Sequence, residues 1–133
     1  MIFVLTACGG EGSATPNPVV ARGGNLYQAH CQSCHGGATG GSLRDIPPPH
    51  NANGHTWHHS DSEIITTTLH GLDFSVEGQQ KMPAFQDKLG ADDAAAILAY
   101  IKTLWTPQER SYQATVTAHS LQGTSEIATG GDR

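Results

Sequence analysis

The chain has 133 residues, of which 37% are hydrophobic and 6% aromatic, with 16 glycines and 7 prolines. So short a chain with so few large apolar groups predicts a single domain that needs a staple, such as disulfides, a metal or a cofactor. The formal charge is −5 and the seven basic residues stand singly, so no basic run can follow a phosphate backbone and no nucleic-acid partner is expected.

The strongest apolar stretch comes first, "MIFVLTA" at residues 1–7, followed by Cys8. Leu-Thr-Ala-Cys resembles a bacterial lipobox, where a signal peptidase cuts ahead of the cysteine and a lipid is attached to its sulfur. The alternative is a free thiol at a frayed end. A secretory signal has a basic segment and an apolar run of ~7–15 residues, more than precedes Cys8. Residues 1–7 are therefore expected to be the remnant of a signal whose true start lies upstream. No segment approaches the ~20 apolar residues of a membrane span. Residues 8–21, rich in Gly, Ser, Thr and Pro, read as a lipidated cysteine followed by a flexible tether.

From Gly24 the spacing of Leu26, Tyr27, Cys31 and Cys34 predicts a helix, ended by the glycines at 36, 37, 40 and 41. Residues 42–59 hold three consecutive prolines and read as loop. In "SDSEIITTTLHG" Ser60 and Glu63 form a capping-box pattern and Gly71 can close the far end, which predicts a helix against the strand preference of its β-branched run. Residues 72–89 return to loop. The clearest helix is "GADDAAAILAYIKTLW". There Ala94, Ile97, Leu98, Ile101, Leu104 and Trp105 form an apolar stripe, Asp92 and Asp93 suit the first turn, and Pro107 ends the element. Residues 107–133 are polar, weakly patterned and expected to be a loosely ordered tail.

The chemistry lies in "CQSCH". A thioredoxin-like disulfide needs a strand ahead of its first cysteine, and none precedes Cys31. Zinc could take Cys31 and Cys34 with His55 and His59. The gap to His55 exceeds the usual finger spacing, however, and His35 would be left without a role. Haem uses every residue of the motif. Two cysteines on one helical turn can bond both vinyl groups of a porphyrin, and the histidine after them reaches the iron. The expected cofactor is one haem c, covalent through Cys31 and Cys34 and ligated by His35. Its second ligand is expected to be Met82, in the loop sequence "KMPAF" and the sole methionine besides Met1. The plainer role for such a residue is filling a core gap.

Residues 22–106 resemble a class I, single-haem cytochrome c. Gly23, Tyr27 and Cys31 repeat the family's glycine, aromatic and first haem cysteine at four-residue steps. "ILAYIKTLW" matches its C-terminal helix, which crosses the first near Gly23 and Tyr27, and "GHTWHHSD" resembles a segment of bacterial members. The chain departs from the family in its C-terminal tail and in lacking the lysine ring of mitochondrial members. The resemblance implies a small all-α fold of three to four short helices wrapped around the haem, with Tyr27 among the cofactor-binding residues. It also implies a proline whose carbonyl orients His35. Pro47, Pro48 and Pro49 are candidates, Pro48 the central one, and the sequence does not choose. Trp57 either donates its indole N–H to a haem propionate or packs on the haem edge. His50, His55, His58 and His59 are solvated, pack around the propionates or form a separate metal site.

An iron with both axial positions filled has no place for substrate, so the expected function is one-electron transfer rather than catalysis at the iron. The protein is expected outside the cytoplasm, periplasmic or at the cell surface, held to a membrane through Cys8, with redox proteins as partners. The alternative is a haem-bearing electron-entry subunit of a dehydrogenase or terminal oxidase complex. A peroxidase or gas sensor would need Met82 off the iron.

Overall fold

The computed structural model describes residues 17–39, 47–73 and 81–129. Cys8, residues 1–7 and most of the expected tether lie outside them. The described residues form five helices and no strand: α1 (Pro18–His30), α2 (Gln32–His35), α3 (Asp61–His70), α4 (Ala91–Thr103) and α5 (Pro107–Thr129), with a 3-10 turn at Thr56–His58 ahead of α3. The chain is all-α, as the sequence implied.

Two ends differ from expectation. α1 starts at Pro18, inside the segment read as tether, because Asn17 accepts a bond from the Val19 N–H and Pro18 takes the first helical position, where no N–H is needed. Residues 107–129, read as a loose tail, are helical. Pro107 stops α4 and also opens α5. Thr106 and Glu109 cap the new helix reciprocally, through Thr106 N–H to Glu109 Oε2 at 2.8 Å and Glu109 N–H to Thr106 Oγ1 at 3.3 Å.

The expected capping box of α3 is present, with Ser60 Oγ accepting from the Glu63 N–H and the Glu63 carboxylate accepting from the Ser60 N–H. Within its β-branched run Thr68 Oγ1 donates back to the Ile64 carbonyl at 2.8 Å, which satisfies a buried hydroxyl inside the helix.

The core consists of Tyr27, Cys31, Ile64, Leu89, Ile97, Leu98, Ile101 and Trp105. Half of these come from α4 and the turn after it. The stripe on that helix is as expected except at Leu104, which is only half-buried, and at Ala96, which is buried in addition. α1 and α4 form the main helix pair. A Cβ on Gly23 would lie 1.8 Å from the Ala96 carbonyl oxygen, so the two backbones touch there and only glycine fits. Tyr27, one turn on, is 1% exposed and packs on Tyr100 of α4 with ring centroids 5.2 Å apart. An exposed Arg22–Asp93 ion pair bridges the same helices and contributes little beside this packing.

Candidate functional site

The Cys31–His35 motif forms a short helical turn of its own. α1 closes at Cys31, whose N–H bonds to the Tyr27 carbonyl, and the Cys31 carbonyl then accepts from both Cys34 N–H (3.1 Å) and His35 N–H (2.9 Å). Gly36, with φ 76°, turns the chain away after His35. Tyr27 braces the turn from below, its hydroxyl donating to the Gly36 carbonyl at 2.8 Å. Burial pushes the Tyr27 phenol well above its usual range, so it remains a donor.

The two sulfurs differ. Cys31 is buried and Cys34 exposed, and they are not bonded to each other. Burial, reinforced by Cys34, pushes the Cys31 thiol up to about 11. A protonated, buried thiol such as Cys31 is a poor nucleophile for disulfide exchange.

His35 is 8% exposed. Among the three candidate prolines, Pro48 is the one whose carbonyl takes His35 Nδ1, at 2.8 Å. That bond places the proton on Nδ1 and leaves the lone pair on Nε2, the form in which imidazole binds a metal. Burial lowers the His35 pKa, with the Pro48 bond opposing, so the ring is neutral near pH 7. His50 stacks on its face, ring centroids 4.1 Å apart and planes 25° apart. His50 Nδ1 meets Thr56 Oγ1 at 2.8 Å, and the His50 carbonyl accepts from Trp105 Nε1 at 2.9 Å. Burial, then the neighbouring His35 and His55, push the His50 pKa down to about 3.

Met82 is half-buried, on a segment fastened to the end of α3. Its carbonyl accepts from Leu72 N–H at 3.1 Å, and Phe85 N–H reaches the Leu69 carbonyl at 3.0 Å. Gly71 makes this contact possible. Its φ is 72°, and a Cβ there would come within 2.6 Å of the Met82 carbonyl oxygen. Residues 74–80, between the two segments of this contact, lie outside the described residues.

Trp57 spends its indole N–H on the Gly54 carbonyl at 3.0 Å, which leaves the ring face rather than the N–H for other contacts. That ring meets His58 at 3.7 Å and Tyr112 of α5 at 5.5 Å between centroids. His55, His58 and His59 are exposed. Among the described residues no three His, Cys, Asp or Glu side chains converge as a metal-holding group, so the zinc set of Cys31, Cys34, His55 and His59 is not assembled.

α5 supplies residues that the sequence reading did not single out. Gln113, 1% exposed, donates through Nε2 to the His59 carbonyl and the Asp61 carboxylate. Thr117 Oγ1 donates to Asp61 at 3.2 Å, and Lys102 of α4 donates to Asp61 at 2.8 Å. Burial raises the Asp61 pKa, but the bonds from Lys102, Gln113 and Thr117 outweigh it, and the carboxyl sits below its usual value. The histidine-bearing loop is thus clamped between α5 and the start of α3.

Residues 18–101 match the model of the family described as cytochrome c oxidase, cbb3-type, subunit III. The chain is also similar to the cytochrome bc1 complex cytochrome c subunit of Corynebacterium efficiens, 35% identical over 101 residues, which cover 70% of this chain and 29% of that protein. The chain therefore spans less than a third of that relative's length. No solved structure matches it.

Proposed function

The chain belongs to the cytochrome c family described by subunit III of cbb3-type cytochrome c oxidase, and on that premise we propose that it is a single-haem electron carrier with His35 and Met82 as axial ligands. The observation that carries this reading is His35, a buried neutral imidazole set by the Pro48 carbonyl with Nε2 left to bind, next to two unpaired cysteine sulfurs. These residues fit haem c. Cys31 and Cys34 would hold it through thioethers, and His35 and Met82 would take the two axial positions. Bound there, haem supplies an iron that changes oxidation state by one electron, with the thioether favouring the ferrous form.

The chain's own residues do the rest. Pro48 keeps the His35 proton on Nδ1, and Tyr27 anchors the end of the motif through Gly36. Gly71 lets the Met82 segment lie against α3. Ile64, Leu98 and Ile101 exclude water from the core the haem would complete. With His35 and Met82 both holding the iron, no position would be left for substrate, and one-electron transfer would be the chemistry the group supplies.

We place the protein outside the cytoplasm with a lipid on Cys8, on the support of the "LTAC" sequence. Mass spectrometry of the membrane fraction is expected to find diacylglycerol on Cys8; a mature chain retaining residues 1–7 would refute that. A second reading, a haem-bearing subunit of an oxidoreductase complex, is favoured by the relative named as a bc1 complex subunit. Purification in mild detergent distinguishes the two: a carrier elutes alone, a subunit with other chains. The oxidised and reduced visible spectra test the proposal as a whole. Haem that survives denaturing electrophoresis supports it, and haem extracted by acidified organic solvent would sink it.

A further inference from the structure

The loop histidine His50 has no role in the function just described, yet its ring lies against the face of His35. The two rings overlap at 4.1 Å between centroids and are tilted by only 25°. His50 is itself held at two points. Its ring nitrogen Nδ1 bonds to Thr56 Oγ1 at 2.8 Å, and Thr56 is buried in the 3-10 turn. Its carbonyl is fixed by the indole of Trp105, the core residue that follows α4.

A hydrogen bond to one corner of a ring restrains a point, whereas a flat neighbour on its face restrains a plane. The Pro48 carbonyl does the first for His35. We propose that His50 does the second: it is a positioning residue that sets the plane of the His35 imidazole, and it draws its own orientation from Thr56 and Trp105. Groups behind a metal ligand commonly fix its orientation and its donor strength in this way. The plainer alternative is that His50 only fills space between α1 and the loop, where its edge also meets Tyr27 at 5.9 Å. An apolar side chain would fill that space without burying polar nitrogens that then need a partner. The Thr56 bond keeps the His50 ring in one orientation, which filling alone does not require.

The inference rests on the proposal that His35 binds the haem iron, and the test separates the two. In ferric protein the plane of the axial imidazole governs how unpaired spin is distributed over the haem, so the shifts of the haem-methyl protons report that plane. Three variants of the covalent holoprotein are compared with wild type by proton NMR and by midpoint potential. His50→Leu removes both the flat face and the Thr56 bond, and is expected to redistribute the methyl shifts and move the potential. Thr56→Val keeps His50 but frees its ring, and is expected to move the shifts the same way by less. His50→Phe keeps a flat face and is expected to stay nearer wild type than His50→Leu.

Methyl shifts and potential unchanged in both His50→Leu and Thr56→Val, even with lowered thermal stability, would overturn the proposal in favour of filling. If His50→Leu yields no holoprotein, Thr56→Val decides alone, since its hydrogen bond is to His50 rather than to His35. A wild-type spectrum without an axial imidazole would instead overturn the functional reading on which the inference stands.

Discussion

Two of the long-range contacts among the described residues are built from different materials. Where α1 crosses α4, Gly23 lies on the Ala96 backbone and Tyr27 on Tyr100, so shape and apolar area hold the pair. Where α5 meets the histidine loop, Gln113, Thr117, Asp61 and Lys102 exchange hydrogen bonds, beside a ring contact of Tyr112 with Trp57. The first contact fails when volume is added; the second fails when a donor is removed. The difference matters for function, because the first contact supports the Cys31–His35 turn and the second supports the loop that carries His50.

Substitutions should separate the two contacts by size. Gly23→Val puts a branched side chain where even a Cβ meets the Ala96 carbonyl, and overpacking of this kind costs ~1–3 kcal/mol. We place it at the top of that range, because the obstacle is helix backbone that cannot change rotamer. Denaturant unfolding of the holoprotein checks it, and an unchanged midpoint would move the crossing elsewhere. Gln113→Ala leaves the His59 carbonyl and Asp61 short of a donor and should cost ~1–2 kcal/mol. Gln113→Glu should cost more, since it sets a second carboxylate against Asp61.

A pH-dependent effect, small near neutrality and growing toward acid pH, belongs to the loop. His50 is held neutral with its pKa pushed down to about 3, whereas an unfolded histidine titrates near 6.5. Below ~6.5 the unfolded chain binds a proton that the folded chain refuses, so stability present at neutral pH is lost as pH falls toward 3. The slope from this group is at most ~1.4 kcal/mol per pH unit. His50→Leu should flatten the acid limb of a stability–pH curve, and an equally steep limb in the variant would assign it to other groups.

How much of this was legible in the sequence follows the same division. The cysteine–histidine turn, the α3 capping box and the α4 stripe are local spacings, and the structure reproduces them. The α1–α4 crossing was implied by the family resemblance, which Gly23, Tyr27 and Cys31 carry at four-residue steps. The polar contact left none, since Gln113 and Asp61 are joined only by the fold. α5 had a signal of its own in Thr106 and Glu109 around Pro107, but its polar composition obscured it. The choice among Pro47, Pro48 and Pro49 likewise needed coordinates, because adjacent carbonyls differ only in direction.

The central claim is that Met82 sulfur closes the iron's second axial position, and the near-infrared spectrum of the ferric protein tests it most directly. The account predicts a weak sulfur-to-iron charge-transfer band in the wild type. In Met82→Ala the haem should remain attached while that band disappears, the midpoint potential falls and the reduced form binds carbon monoxide. A wild type lacking the band, with Met82→Ala changing neither spectrum nor potential, would contradict the account and assign the position to a histidine.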